Sequence, residues 1–167
     1  MLSFDLRSLE SNAVKVEADL RADDAVWREG DTRPDAGVQV TGRLSAAGAG
    51  RFYFSGRLEG QAATSCRRCL DHVSLRVDQE VHLLLVDGAA EEADEPDVYL
   101  IDVRQHDLDL RPAIREEWLL AVPPYAVCSE SCQGLCPKCG GNRNHGACTC
   151  TTAIDPRWGA LSALRNP

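Results

Sequence analysis

Cysteine is the residue type whose number and spacing carry the most chemistry in this sequence. Six of the eight cysteines lie between positions 128 and 150, and the other two form a separate Cys-x-x-Cys motif. Four thiolates satisfy a tetrahedral zinc ion, so eight cysteines make two such sets. We therefore predict two zinc ions and eight metal-ligating residues: Cys66, Cys69, Cys128, Cys132, Cys136, Cys139, Cys148 and Cys150.

The spacing of these cysteines favours one pairing without deciding it. The segment Cys136-Pro-Lys-Cys139-Gly-Gly has the tight turn and the following glycines of a metal knuckle. Cys148-Thr-Cys150 would close a short loop with it, as in zinc ribbons. The other site would then combine the remaining four: Cys66, Cys69, Cys128 and Cys132. His145 is an alternative ligand, although a histidine in so polar a loop is more often solvated.

Length and composition predict one packed core. A chain of 167 residues with 44% hydrophobic content supports one main domain with an appendage. We expect an antiparallel sheet domain with a covering helix over residues 1–127, and a cysteine-rich segment with a terminal helix over 128–167, packed on the first. The first ten residues lack the pattern of an export signal, and no apolar stretch approaches about 18 residues. We expect a cytoplasmic protein, where reduced thiols favour metal binding over disulfides.

The charge of the chain is unevenly distributed. The net charge is -8, and residues 128–167 contain four basic and two acidic side chains, which leaves -10 for residues 1–127. Each zinc ion with four thiolates would add a charge of -2. An acidic protein is a poor general ligand for phosphate backbones and is suited to shielding a basic partner.

Alternation of apolar and polar residues predicts an antiparallel sheet. The segments with a period of two are residues 14–20, 38–44, 51–58, 73–85 and 98–103. A glycine-bearing turn at 46–50 makes a hairpin of the second and third segments. Residues 88–97 have the composition of a mobile acidic loop.

Two helices are predicted beside these strands. Asp107 or Asp109 is expected to cap a helix that ends at Pro123-Pro124 and leads to the cysteine cluster. Asp155-Pro156 is expected to begin a short terminal helix. The predicted fold class is α+β: a mainly antiparallel β-sheet with two helices and a C-terminal zinc-stapled segment.

Sequence patterns of catalysis are missing. Four thiolates per zinc leave no open coordination position, and the chain contains no His-Glu-x-x-His, phosphate-loop or Gly-x-Ser-x-Gly motif. We therefore predict that the protein is not an enzyme. A rival hypothesis is a thiol-based redox sensor or redox-regulated chaperone, because Arg67 and Arg68 would favour thiolates at the neighbouring cysteines. The same arginines would also stabilise metal-bound thiolates.

The order of these motifs resembles the YceD family, the large ribosomal RNA subunit accumulation proteins of bacteria and plastids. The resemblance rests on Cys66-Arg-Arg-Cys-Leu70, the helix predicted over 109–122, Leu-Cys-Pro-Lys-Cys-Gly around Cys136, and the closing Asp155-Pro-Arg-Trp158. It implies a role in the accumulation or maturation of 23S ribosomal RNA and of the large ribosomal subunit.

The implied partner is either large-subunit rRNA or a basic large-subunit ribosomal protein, and the charge distribution does not choose between them. Neither a membrane nor a small-molecule substrate is expected. If RNA is contacted directly, the candidates are the basic residues beside the cysteines: Arg67, Arg68, Lys138 and Arg143. If a basic protein is contacted, the acidic part of the chain is the expected surface.

Overall fold

A computed structural model describes residues 1–48, 50–90, 93, 95, 98–102, 104–146, 148–150 and 157. Seven strands and two helices are formed within these residues. In chain order they are β1 (Ser3–Asp5), α1 (Leu6–Ser11), β2 (Val14–Arg21), β3 (Gly37–Gly48), β4 (Arg51–Ser65), β5 (His72–Asp87), β6 (Val98–Ile101), β7 (Asp107–Asp109) and α2 (Arg111–Ala121).

Five strands form the main sheet in the order β2-β3-β4-β5-β6. Neighbouring strands are antiparallel except β6, which runs parallel to β5. The predicted α+β class with a mainly antiparallel sheet is confirmed. Strand β4 continues seven residues beyond the predicted limit at Leu58, as far as Ser65, which pairs with His72. The β4–β5 hairpin therefore ends directly at Cys66 and Cys69.

Helix α2 covers the inner face of the sheet through Trp118. This side chain is fully buried, and its indole N–H donates to the Thr32 carbonyl oxygen over 2.9 Å. Gly60 in β4 provides the space for the ring, because a Cβ at this position would lie 2.9 Å from two ring carbons. The absence of a side chain at Gly60 is therefore a packing requirement of the helix–sheet interface.

Two ionic contacts position α2. Arg115 forms a double hydrogen bond with Asp31, at 2.6 and 2.7 Å, and this bond lowers the pKa of the Asp31 carboxyl. The predicted capping by Asp107 or Asp109 is wrong in detail, since the N-cap residue is Leu110 and makes no side-chain cap. Asp109 instead accepts the backbone N–H of Arg111 over 2.9 Å and pairs with its guanidinium.

The N-terminal elements have no counterpart in the sequence prediction. Asp5 caps α1 by accepting the Ser8 N–H over 2.9 Å, and the helix buries Leu6 and Leu9. Strand β1 pairs with β7 to form a separate two-stranded sheet. The predicted helix beginning at Asp155 (apart from Arg157), half of the acidic loop 88–97 and residue 103 lie outside the described residues.

Replacing Gly60 by alanine should destabilise the fold by about 1–3 kcal/mol, because the added methyl group overpacks the interface with Trp118. Urea unfolding followed by circular dichroism measures the effect. Gly88→Ala is the matched control, since a Cβ at Gly88 meets no atom within 4 Å. Equal unfolding midpoints for the two variants would contradict this account of the packing.

Candidate metal centres

The structure places the eight cysteine sulfurs in two sets of four. The first site comprises Cys66, Cys69, Cys128 and Cys132, and its sulfurs all lie within 4.8 Å of one another. Two of its sulfur–sulfur distances are 3.8 Å, between Cys66 and Cys132, and 3.6 Å, between Cys69 and Cys128. A tetrahedral zinc ion with four bonds of about 2.3 Å requires sulfurs about 3.8 Å apart. The spacing therefore fits a metal ion.

The second site comprises Cys136, Cys139, Cys148 and Cys150, whose sulfurs also lie within 4.8 Å of one another. All eight cysteines are free thiols. This grouping is the one that spacing favoured. In the first site three of the four cysteines are buried, whereas in the second only Cys136 is buried.

The two Cys-x-x-Cys segments adopt the same turn. In the first, the Cys66 N–H donates to the Asp71 carbonyl oxygen over 2.7 Å, and the Leu70 N–H donates to the Cys66 carbonyl oxygen over 2.9 Å. In the second, the corresponding bonds are 2.8 Å, from Cys136 to Gly141, and 2.9 Å, from Gly140 to Cys136. The first turn closes the β4–β5 ladder, and the second closes a single antiparallel bridge between Leu135 and Asn142, so both knuckles are the tips of hairpins.

Backbone N–H groups point at the first sulfur of each knuckle. The Arg68 N–H lies 3.4 Å from the Cys66 sulfur, and the Lys138 N–H lies 3.4 Å from the Cys136 sulfur. Burial opposes ionisation of Cys66, but hydrogen bonds from backbone N–H groups, including that of Cys128 at 3.3 Å, outweigh it and lower its pKa to about 6. Backbone hydrogen bonds likewise lower the pKa of Cys136 to about 6. The lowered pKa of these two sulfurs favours the thiolate form, which binds a cation.

Three of the other thiols, Cys69, Cys128 and Cys150, keep their protons more strongly. Burial raises the pKa of Cys69, and a hydrogen bond with Cys139 raises the pKa of Cys150 to about 12. A hydrogen bond with Cys132 raises the pKa of Cys128, while the amide of Asn144 lowers the pKa of Cys132. Metal binding at either site must therefore displace protons.

Arg67 and Arg68 join the two halves of the first site. Arg67 donates its backbone N–H to the Ala126 carbonyl oxygen and its Nε–H to that of Pro124, both over 2.9 Å. Arg68 donates from Nη1 to the Glu130 carbonyl oxygen over 3.2 Å. These candidate RNA-contact residues thus hold the chain that follows α2 against the knuckle. Each guanidinium still carries further N–H donors.

The other two candidate RNA-contact residues, Lys138 and Arg143, belong to the second hairpin and are exposed. Arg143 donates its backbone N–H to the Gly134 carbonyl oxygen over 2.9 Å, which leaves its side chain at the surface. The four basic residues therefore divide into two that fasten the first site and two that are presented to solvent.

Polar side chains of the second hairpin reach the first site. Asn142 donates to the Asp71 carboxylate over 2.7 Å, and Asn144 donates to the Cys132 sulfur over 3.4 Å. The hydrogen bond from Asn142, followed by one from the Cys69 thiol, lowers the pKa of Asp71. His145 lies 3.4 Å from Asp71 and belongs to neither set of sulfurs. The two sites are therefore coupled by hydrogen bonds.

Sequence reasoning did not identify Asp71, Asn142 and Asn144 as site residues. The available signal was two amide side chains directly after the second knuckle, where a simple loop needs none. Side chains around a metal site orient its ligands and tune its affinity. These three residues are placed to do so for the first site. Among the described residues no helix is long and apolar enough to cross a membrane.

Replacing Asn144 by alanine should weaken Zn²⁺ binding at the first site by about tenfold, because the hydrogen bond to the Cys132 sulfur is lost. Competition with a chromophoric chelator measures the affinity. Asn12→Ala, at the end of α1, is the control and should leave both affinities unchanged. If Asn144→Ala weakened only the second site, the coupling inferred from the hydrogen bonds would be wrong.

Comparisons with known proteins agree with the motif-based resemblance. The chain is 31% identical over 140 residues to uncharacterized proteins of Mycobacterium tuberculosis (strain ATCC 25618 / H37Rv) and Mycobacterium bovis (strain ATCC BAA-935 / AF2122/97). Each match covers 78% of this chain and 57% of the relative. The chain thus spans little more than half the length of these relatives. No solved structure matches it.

A chloroplast relative carries an informative name. The chain is 35% identical over 71 residues to the Arabidopsis thaliana protein called large ribosomal RNA subunit accumulation protein YCED homolog 1, chloroplastic. This match covers 42% of the chain and 20% of that relative. The model of the family described as large ribosomal RNA subunit accumulation protein YceD matches residues 54–165, a range that includes all eight cysteines. The chain belongs to the YceD family.

Proposed function

We propose that this protein is a non-catalytic factor that supports the accumulation or maturation of 23S rRNA and of the large ribosomal subunit. The observation that carries the proposal is the family match over residues 54–165, which extends from near the start of β4 across both cysteine sites. The family description names accumulation of large-subunit rRNA. Within the matched range, this chain has two sets of four cysteine sulfurs.

Structural zinc at both sites is part of this proposal. Four sulfurs at tetrahedral spacing suit Zn²⁺, and backbone N–H groups directed at the sulfurs are typical of zinc knuckles. Four sulfur ligands leave no position for water or substrate, which supports a structural role and not catalysis. Residues 1–127 would supply the packed sheet, and residues 128–167 would supply the zinc-binding segment docked on it through the first site.

The partner in this role is either large-subunit rRNA or a basic large-subunit ribosomal protein. The charge of -10 over residues 1–127 favours a basic protein at the sheet. The basic residues beside the sulfur sites favour local RNA contact there: Arg67, Arg68, Lys138 and Arg143. The two contacts use different parts of the surface, so each is open to a separate test.

Depletion of the protein should lower the ratio of 23S to 16S rRNA and the yield of large ribosomal subunits. Sucrose-gradient profiles and rRNA quantification in a deletion strain measure both quantities. Expression of the unaltered chain from a plasmid is the control and should restore both. Normal rRNA ratios and normal particle profiles in the deletion strain would contradict the proposed function.

The rival function is a thiol-based redox sensor or redox-regulated chaperone, favoured by the two thiols with a pKa of about 6. Metal analysis separates the two functions. We expect two zinc ions per chain that mild peroxide does not release, one zinc in Cys66→Ser or Cys136→Ser, and none in the double variant. Release of zinc with disulfide formation at mild oxidant would favour the sensor. If the double variant lost only one of the two zinc ions, the assignment of the cysteines to two sites would be wrong.

A further inference from the structure

Apolar side chains are exposed around the first metal site. The residues concerned are Leu70, Tyr125 and Val127, which are 64%, 77% and 37% exposed. Leu70 follows Cys69 and Val127 precedes Cys128, and the sulfurs of these two cysteines lie 3.6 Å apart. We call Leu70, Tyr125 and Val127, together with Arg67, the knuckle rim. Exposed apolar side chains that cluster around a rigid site mark a contact surface.

Leu70 occupies a position at which glycine would be the expected residue. Its φ of 64° lies in the left-handed region, and it is the only described residue other than glycine there. Gly140 occupies the equivalent position of the second knuckle with a φ of 71°. Leucine pays a steric penalty in this conformation, and its exposed side chain recovers little of it by burial. A strained, exposed leucine is therefore better explained by a partner than by the fold.

Tyr125 provides an aromatic surface beside Arg67, a residue of the same knuckle as Leu70. The guanidinium of Arg67 lies over the Tyr125 ring at 5.3 Å from its centroid. Arg67 is itself held by the Pro124 carbonyl oxygen, so the ring and the cation are positioned together. Because Tyr125 is 77% exposed, the ring face away from Arg67 is accessible. Such an aromatic–arginine pair is a ready stacking surface for a planar group.

The net charge around the rim limits which class of molecule can supply this planar group. Arg67 and Arg68 offset the charge of -2 that a zinc ion with four thiolates would carry. With the Asp71 carboxylate, whose Oδ2 lies 3.3 Å from the Cys69 sulfur, the site then has no net positive charge and cannot act as a phosphate clamp. Unpaired nucleotides fit it, because their bases stack on aromatic rings with little dependence on phosphate contacts.

We propose that the knuckle rim binds unpaired nucleotides of RNA, with one base stacked on the free face of Tyr125 and with Leu70 and Val127 as the adjoining apolar contacts. This inference rests on the proposed function in large-subunit rRNA accumulation and specifies the surface that would meet the RNA. Arg67 and Arg68 contact at most two phosphates, so the dependence on salt is shallow, with a logarithmic slope of about -1.4 or weaker.

The test measures binding of the zinc-loaded full chain to a fluorescently labelled single-stranded RNA ten-mer, with the same strand in a duplex as comparison. We expect the single strand to bind and the duplex to bind at least tenfold more weakly. Tyr125→Ala should weaken binding by about 5- to 100-fold, the range of one lost base stack, and Tyr125→Phe should restore it. Tyr53→Ala is the control, because Tyr53 lies on the sheet, stacked on His82.

Leu70→Gly separates a role in binding from a role in folding. Glycine relieves the left-handed backbone, so the variant should keep two zinc ions and unfold at an equal or higher urea concentration. Its affinity for the single strand should nevertheless fall by about fivefold. A lower unfolding midpoint with unchanged RNA affinity would overturn the inference, because Leu70 would then serve the fold.

Three other outcomes would also overturn it: no binding of the single strand by the full chain, unchanged affinity in Tyr125→Ala, or photo-crosslinks from position 125 in cells that reach protein and no RNA. Complementation distinguishes this failure from failure of the proposed function. If the unaltered chain restores 23S rRNA in a deletion strain and both rim variants restore it equally, the rim is not the contact while the function stands. If deletion leaves 23S rRNA normal, the function itself is wrong.

Discussion

The convergence of four cysteine sulfurs at the first site is the constraint on which the rest of the structure depends. It joins the turn between β4 and β5 to the chain that leaves α2, two parts that are about 60 residues apart in sequence. Closing so long a loop removes much conformational freedom from the unfolded chain. The site thereby fixes the end of α2, the helix whose Trp118 packs on Gly60.

The position of the second site depends on contacts with the first site. Its hairpin is held to the first knuckle by the Leu135 N–H, which donates to the Arg68 carbonyl oxygen over 3.0 Å, and by Asn142 and Asn144. Arg68 therefore serves three neighbours: its amide meets the Cys66 sulfur, its carbonyl meets the second hairpin, and its side chain meets the chain after α2. Arg68, a candidate nucleic-acid contact in the sequence, thus also has a structural role in the fold.

Sequence patterns predicted those parts of the structure that depend on local chemistry. Alternation located the five strands of the main sheet. The spacing of the cysteines favoured the grouping seen in the structure without deciding it, because a knuckle and its hairpin are local structures while the first site joins distant parts of the chain. The parallel pairing of β6 and the helix α1 were not predicted, since both depend on contacts distant in sequence. The left-handed backbone of Leu70 was not predicted either, because nothing in the sequence distinguishes this leucine from any other. Its positive φ, which it shares with Gly140 of the second knuckle, is seen only in the structure.

X-ray absorption spectroscopy at the zinc edge of the purified full chain tests the central claim most directly. The account predicts two zinc ions per chain, each with four sulfur neighbours at about 2.3 Å and no nitrogen or oxygen in the first shell. A mean of about 3.5 sulfurs with half a nitrogen per zinc would indicate that His145 replaces a thiolate at one site. Two or fewer sulfurs per zinc would contradict the account, since the sulfur sets would then not be closed.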